Sequence, residues 1–208
     1  IWTPEGFTLT RDNYAAEMSV LNDALILTSL RMFPHCLTAW GYSPQGALRA
    51  SGQENPFLHY MLEKLIPDLI AAAPDAIGIS MVHGEQLFYT LFLLNQLKQR
   101  DLGIPLIVGG AHFSQLCGQS GIANGESVSF AEVEKRPKAG SAKMLAKTFA
   151  PAGGAPIVGI QGEGEAPLLA LCQHIAAGEP ITDTPSLVYV DGDAQSLVFN
   201  DVADVLPA

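Results

Sequence analysis

Ile77-Gly78-Ile79-Ser80-Met81-Val82 and Leu106-Ile107-Val108-Gly109-Gly110 decide the fold of this chain. Each is an apolar run of strand length that stops abruptly in small residues. Between them, Glu85 to Arg100 supplies one helix's worth of sequence, so the unit reads strand, helix, strand. In an open parallel sheet, ligands collect in the crevice beyond the carboxyl ends of the strands. Ser80 and the Gly109-Gly110 pair stand at two such ends. A hydroxyl beside two residues without side chains leaves a slot where a ligand can lie against backbone. A bulky residue in place of Gly110 is expected to fill that slot and leave the sheet folded.

The elements on either side extend this pattern. The helix after the first strand turns Leu87, Phe88, Leu91, Leu94 and Leu97 toward the core and sends Lys98, Gln99 and Arg100 to water. Pro156-Ile157-Val158-Gly159-Ile160 reads as a third strand. Gly162-Glu163-Gly164-Glu165 follows, then a helix whose apolar face holds Leu168, Leu169, Cys172 and Ile175. Upstream, Asn55-Pro56 is a helix start, with proline at the first helical position. Phe57, Met61, Leu65 and Leu69 then repeat at spacing four on one face. Downstream, Leu187 to Val190 and Ser196 to Phe199 flank Asp191-Gly192-Asp193, a hairpin turn signal. Strand-helix alternation, with strands buried on both faces, predicts an α/β fold. The expected form is a Rossmann-like open parallel sheet with helices on both faces, plus a C-terminal β-hairpin.

The remaining stretches are less regular. Gly6 to Asp12 alternates like a short strand, and His35 to Glu54 reads as loop. Ala24-Leu25-Ile26-Leu27 fits either a buried helix or a central strand. Either Ala24 to Leu30 supplies that strand, or a first strand-helix unit precedes Ile1. Gly118 to Pro156 is rich in Gly, Ser, Lys, Ala and Pro, and reads as an insertion over the surface with a helix near Ala142 to Phe149. The expected organisation is an N-terminal segment over 1–54, the sheet domain over 55–200, and the start of a linker over 201–208.

Composition narrows the function. The chain has 208 residues, 48% of them apolar, enough for a sizeable core. A net charge of −10 argues against nucleic acid, which needs clustered Lys and Arg. The one basic group, Lys135, Arg136, Lys138, Lys143 and Lys147, reads as a solvated loop face. No apolar run approaches the roughly 20 residues of a bilayer span, so no membrane partner is expected. Ile1-Trp2-Thr3-Pro4-Glu5 has neither a basic n-region nor an apolar h-region, and reads as a cut within a longer chain. Cys36, Cys117 and Cys172 are widely spaced, without a Cys-x-x-Cys pair. A disulfide framework, zinc ribbon or iron-sulfur cluster within the chain is not expected, and a cytoplasmic location is.

Few residues carry chemistry. Gly162-x-Gly164 stands where a nucleotide phosphate could sit at a helix start. Glu163 and Glu165 already satisfy the helix dipole there and repel a pyrophosphate; they either cap the helix or accept from ligand hydroxyls or amides. His83 and His112 follow the two slot-forming strands and can line the same crevice, but their spacing matches no metal motif. No Gly-x-Ser-x-Gly elbow and no Cys with a clear His partner occurs, so covalent hydrolysis is not expected, and the histidine spacing gives no reason to expect a metal site.

Together, Ser80-Met81-Val82, Gly109-Gly110, Gly162-Glu163-Gly164-Glu165, the hairpin and Asp201 to Pro207 carry a resemblance. Over residues 55 to 207 the chain resembles the cobalamin-binding domain at the front of radical S-adenosylmethionine enzymes. The resemblance implies that the nucleotide tail of cobalamin enters the crevice beside the Ser strand and the Gly-Gly turn. Carried over by position, Ser80 and Val82 flank the tail, Gly109, Gly110 and Ala111 give it backbone contact, and Met81, His83 and His112 join the cofactor-binding set. Gln161, Gly162, Glu163, Gly164 and Glu165 edge the ribose or corrin side. His35 lacks the Asp and Gly of an Asp-x-His-x-x-Gly motif, so no protein histidine on cobalt is implied. No Cys-x-x-x-Cys-x-x-Cys is present, so S-adenosylmethionine and the 4Fe-4S cluster would belong to a radical barrel beyond Ala208. The domain would bind and not catalyse, within a parent methyltransferase or cyclase. The rivals are a ligand-free scaffold that binds a protein partner, and an α/β enzyme that binds a nucleotide or sugar through Gly162-x-Gly164.

Overall fold

The computed structural model describes residues 16, 18–21, 23, 24, 27, 56–84, 86–136, 140–150, 156–193 and 195–202. The chain forms two compact units, 1–41 and 42–208. In the first, all the described residues are helical, so Ala24 and Leu27 belong to a helix and not to a central strand. The strand expected over 6–12, the loop over 35–54 and most of the linker over 201–208 lie outside the described residues.

The second unit carries strands β1 (Ile77–Ser80), β2 (Leu106–Gly109), β3 (Ser127–Ser129), β4 (Ile157–Ile160), β5 (Leu187–Asp191) and β6 (Ser196–Phe199). They form one sheet in the order β1-β2-β4-β5-β6-β3. β1, β2 and β4 pair in parallel, and every pairing from β4 to β3 is antiparallel. The hairpin β5–β6 therefore extends the main sheet. Its helices are α1 (Pro56–Tyr60), α2 (Ile66–Ala71), α3 (Gln86–Gln99), α4 (Ala111–Gly118), α5 (Phe130–Lys135), α6 (Gly140–Phe149) and α7 (Glu165–Ala177). A π-helical turn, Met61–Leu65, joins α1 to α2.

Strand alternation sorts the core into two layers. Ile77, Leu106, Val108 and Ile157 pack with Phe88, Leu94, Phe113, Leu145 and Phe149 of α3, α4 and α6. The steps β1 to β2 to β4 run in one direction across the sheet, and right-handed crossovers then stack their helices on one face. α7 leads into the antiparallel β5 and is free of that rule. It covers the opposite face, setting Leu171 and Ile175 on Ile107, Val158, Ile160 and Leu187.

Three sequence expectations change. The segment 118–156 is no surface insertion: it supplies edge strand β3, α5 and α6, with Ala142, Met144, Leu145 and Phe149 buried. The helix expected near Ala142 to Phe149 is α6; what the small residues concealed is that it packs in the core against the sheet. Lys135, Lys143 and Lys147 lie on helices, not on a loop, and Lys138 lies outside the described residues; Arg136, just past α5, donates to Gly121 O and Glu126, and Lys143 pairs with Glu134. On α7 the inward row is Pro167, Leu171 and Ile175, leaving Leu168 42% and Leu169 61% exposed, with Cys172 also outward. That helix is apolar nearly all round, so periodicity alone could not choose its stripe. Before β1, Leu58, Met61 and Ile66 are buried while Leu65 and Leu69 are half-buried. The π turn adds a residue and moves the inward position from Leu65 to Ile66.

Gly159 fixes how β4 meets its helices. A Cβ there would lie 2.1 Å from the Phe113 ring, which stacks on Phe149 at 6.0 Å between centroids. Gly159→Ala must therefore displace a fully buried ring. The expected loss is about 1–3 kcal/mol, read as a lower urea midpoint at unchanged slope.

A second expectation concerns pH. Glu126 accepts from Ala123 N and pairs with Arg136, and Glu132 forms a capping box with Ser129. These hydrogen bonds hold both carboxyls below the ordinary glutamate range, Glu126 chiefly through Ala123 and Glu132 chiefly through Ser129. Their stabilisation is present above the unfolded value, about 4.3, and is lost as pH falls below it. Glu126→Gln with Glu132→Gln should lower the urea midpoint at pH 7, and the difference should shrink as pH falls below about 4.

Candidate functional site

The carboxyl ends of β1 and β2 are locked together through main chain. Met81 N donates to Gly109 O at 2.7 Å, and His112 N donates to Met81 O at 3.0 Å. Gly110, the N-cap of α4, sits at φ 100° and ψ 171°. A Cβ on it would meet Met81 O at 2.6 Å and Met81 N at 2.9 Å. Gly110 is thus a contact between backbones, and the expectation that its side-chain position opens into the slot is corrected. The position that does open is Gly109, where a Cβ would meet only Ile160 O, at 3.6 Å. At Gly78 a Cβ would meet nothing within 4 Å.

A third strand end joins these two through Ser114. Its hydroxyl donates to Gly110 O at 3.3 Å and accepts from Gly162 N at 2.9 Å. The turn after β4 is thereby tied to the turn after β2. Gln161 is buried; its N donates to Ser186 O and its side-chain amide to Asn124 Oδ1.

Between these turns and α7 lies a cavity of about 460 Å³ on the sheet face that α7 only partly covers. Gly78, Ser80 and Gly109 form its floor, Ile107, Ile160 and Leu168 stand at its sides, and Gly162, Gly164 and Glu165 edge it. Ser80 is exposed, so the slot is open. The volume falls within the range of about 300–1,000 Å³ usual for small-molecule sites.

Six of the thirteen residues singled out in the sequence line this cavity: Ser80, Gly109, Gly110, Gly162, Gly164 and Glu165. Met81 is 2% exposed, with its side chain in the core under the helix-rich face, and serves the site through its backbone. Val82 and His83 are exposed at the tip of β1, where both amides donate to Gln86 Oε1. Ala111 is exposed on the first turn of α4. The His112 ring is bonded to Gln115 at 3.1 Å and lies against Gly84. Glu163 is exposed, while Gln161 is turned toward Asn124 and does not reach the slot.

Sequence reasoning missed Gly78, Ile79, Ile107, Ile160 and Leu168. Gly78 was within reach of it, because residues two apart on a strand share a face and Gly78 precedes Ser80 by two. Among the described residues, no three His, Cys, Asp or Glu side chains gather as metal ligands. Burial pushes the Cys117 thiol up to about 12, which leaves it inert as a nucleophile at neutral pH. The chemistry available is binding by shape against a floor of backbone and aliphatic walls.

No protein-family model, no curated protein and no solved structure matches the chain. No helix among the described residues is long and apolar enough to cross a membrane.

Gly110→Ala should damage fold and site together. It combines a φ foreign to L residues with a clash against main chain, a loss of about 2 kcal/mol or more. Thermal melting and ligand retention should fall in parallel for this variant.

Proposed function

We propose that this chain binds cobalamin, taking its nucleotide tail into the slot over Gly78, Ser80 and Gly109. One observation supports the reading above others: the floor between two locked strand ends, Gly78, Ser80 and Gly109, carries no side chain larger than a hydroxymethyl and is open to solvent. A cavity of about 460 Å³ has room for a benzimidazole and its ribose but not for a corrin ring, which would remain outside. Ser80, Gly109 and Gly110 would run along the tail, and Gly162, Gly164 and Glu165 would edge the sugar. Glu165 suits ribose hydroxyls, which donate, better than it suits a phosphate. Bound cobalamin supplies carriage of a methyl group. We assign that capacity to a parent radical S-adenosylmethionine enzyme, a methyltransferase or cyclase, whose own barrel would hold S-adenosylmethionine and the 4Fe-4S cluster. The resemblance in sequence supports this larger assignment.

The test is direct. Hydroxocobalamin mixed with the purified chain should co-elute in gel filtration with an altered visible spectrum. An unchanged spectrum together with no retained corrinoid would overturn the reading. Gly78→Leu fills the slot from a position with open space around its Cβ, so the fold should persist. Retention should drop by about tenfold or more, a change of at least about 1.4 kcal/mol, while the melting temperature stays within a few degrees.

A ligand-free scaffold is less well supported, because it calls for a packed Ser80 and no hollow beside Gly109. A nucleotide reading keeps one observation in its favour: Gly162 and Gly164 edge the same cavity. It requires a thermal shift with adenine nucleotides and none with cobalamin.

A further inference from the structure

We propose that the slot selects among corrinoids by the base on their tail, preferring a benzimidazole over a purine. The inference rests on the cobalamin reading and concerns the walls of the same cavity. Its sides are Ile107, Ile160 and Leu168, and its floor is Gly78 and Gly109. Ser80 and Glu165 are the polar side chains among the lining residues, and Glu165 is exposed in the first turn of α7. The backbone offers little more. Strand N–H and C=O groups lie in the plane of the sheet: those of β2 are engaged with β1 on one side and β4 on the other, and those that the edge strand β1 turns outward point along the sheet and not up from the floor. What the floor presents to a ligand is Cα–H and aliphatic surface.

A benzimidazole presents mainly C–H and methyl edges to such a site. An adenine base presents an exocyclic amine and ring nitrogens, which lose water on entry; Glu165 at the rim can accept from the amine, but the ring nitrogens, which accept, find only the Ser80 hydroxyl among the lining side chains. A buried hydrogen-bonding group left unpaired weakens binding by about tenfold or more. Apolar walls thus act against the polar base without any added contact to the apolar one.

The experiment titrates the chain, followed by visible spectrum, with three corrinoids. These are cobalamin, the corrinoid with adenine in place of the benzimidazole, and cobinamide, which has no nucleotide tail. Cobalamin should bind at least about tenfold more tightly than the adenine form, and more tightly than cobinamide. Equal binding of the two tailed corrinoids, or tighter binding of the adenine form, overturns the selectivity and leaves the cobalamin reading standing. Equal binding of cobinamide and cobalamin, or binding of none, overturns the cobalamin reading itself. Leu168→Gln tests the wall, at a residue 42% exposed that the fold should tolerate. Its amide offers adenine a partner, so the preference should narrow to about threefold or less. An unchanged preference in that variant removes Leu168 from the selecting wall and overturns the assignment.

Discussion

The site depends on the approach of Gly110 to the main chain of Met81. With 2.6 Å between the place of a Cβ and Met81 O, only glycine lets the turn after β2 close over the end of β1. The two hydrogen bonds through Met81 N and Met81 O then fix the spacing of the strand ends. Without that closure the ends would diverge with the twist of the sheet, and no continuous floor would run from Gly78 to Gly109. Ser114 carries the constraint one strand further by joining the turns after β2 and β4. Three strand ends are thereby held in register by backbone and one hydroxyl, so the floor can remain bare.

The second determinant is unequal helix cover. Crossovers that step one way across β1, β2 and β4 load α3, α4 and α6 onto one face, where the larger core forms. The other face receives α7, whose inward residues reach β2, β4 and β5. Over β1 that face carries only Gly78 and Ser80, both exposed. The cavity is the step where helix cover ends and small residues begin. It needs no reversal of strand order, because the edge of α7 provides the wall that a second helix would otherwise supply.

Much of this was legible in the sequence where the signal was local. The three parallel strands are apolar runs, two of them ending in Ser80 and Gly109, and the Asp191-Gly192 turn gives the hairpin directly. What escaped was set by packing at a distance. Strand β3 is three residues long, Ser-Val-Ser, and becomes a strand by pairing with β6 nearly 70 residues away, as Ser127 Oγ donating to Ser196 Oγ across 69 positions illustrates. The inward stripe of α7 follows from where β5 lies, which the helix's own sequence does not encode. Gly109 and Gly110 read alike as a pair. One faces the cavity and the other faces Met81, and only the register of β1 against β2 separates their roles.

The character of the slot also limits how it can hold a ligand. The chain carries a net charge of −10, and Glu163 and Glu165 stand at the helix start that would otherwise attract a phosphate. Attraction between charges is thus a poor source of affinity here, and burial of a flat ring is the better one. A ring that buries about 150 Å² gains roughly 4 kcal/mol at about 25 cal/mol/Å². Losing free translation and rotation costs at least about that much. A bare heterocycle would therefore bind weakly. On the cobalamin reading, the slot serves as a register pin, and surplus affinity has to come from the corrin resting on the strand ends. Val82, 48% exposed at the tip of β1, is the apolar side chain placed to meet it there. The bare floor sets position, and the surface around its mouth sets strength.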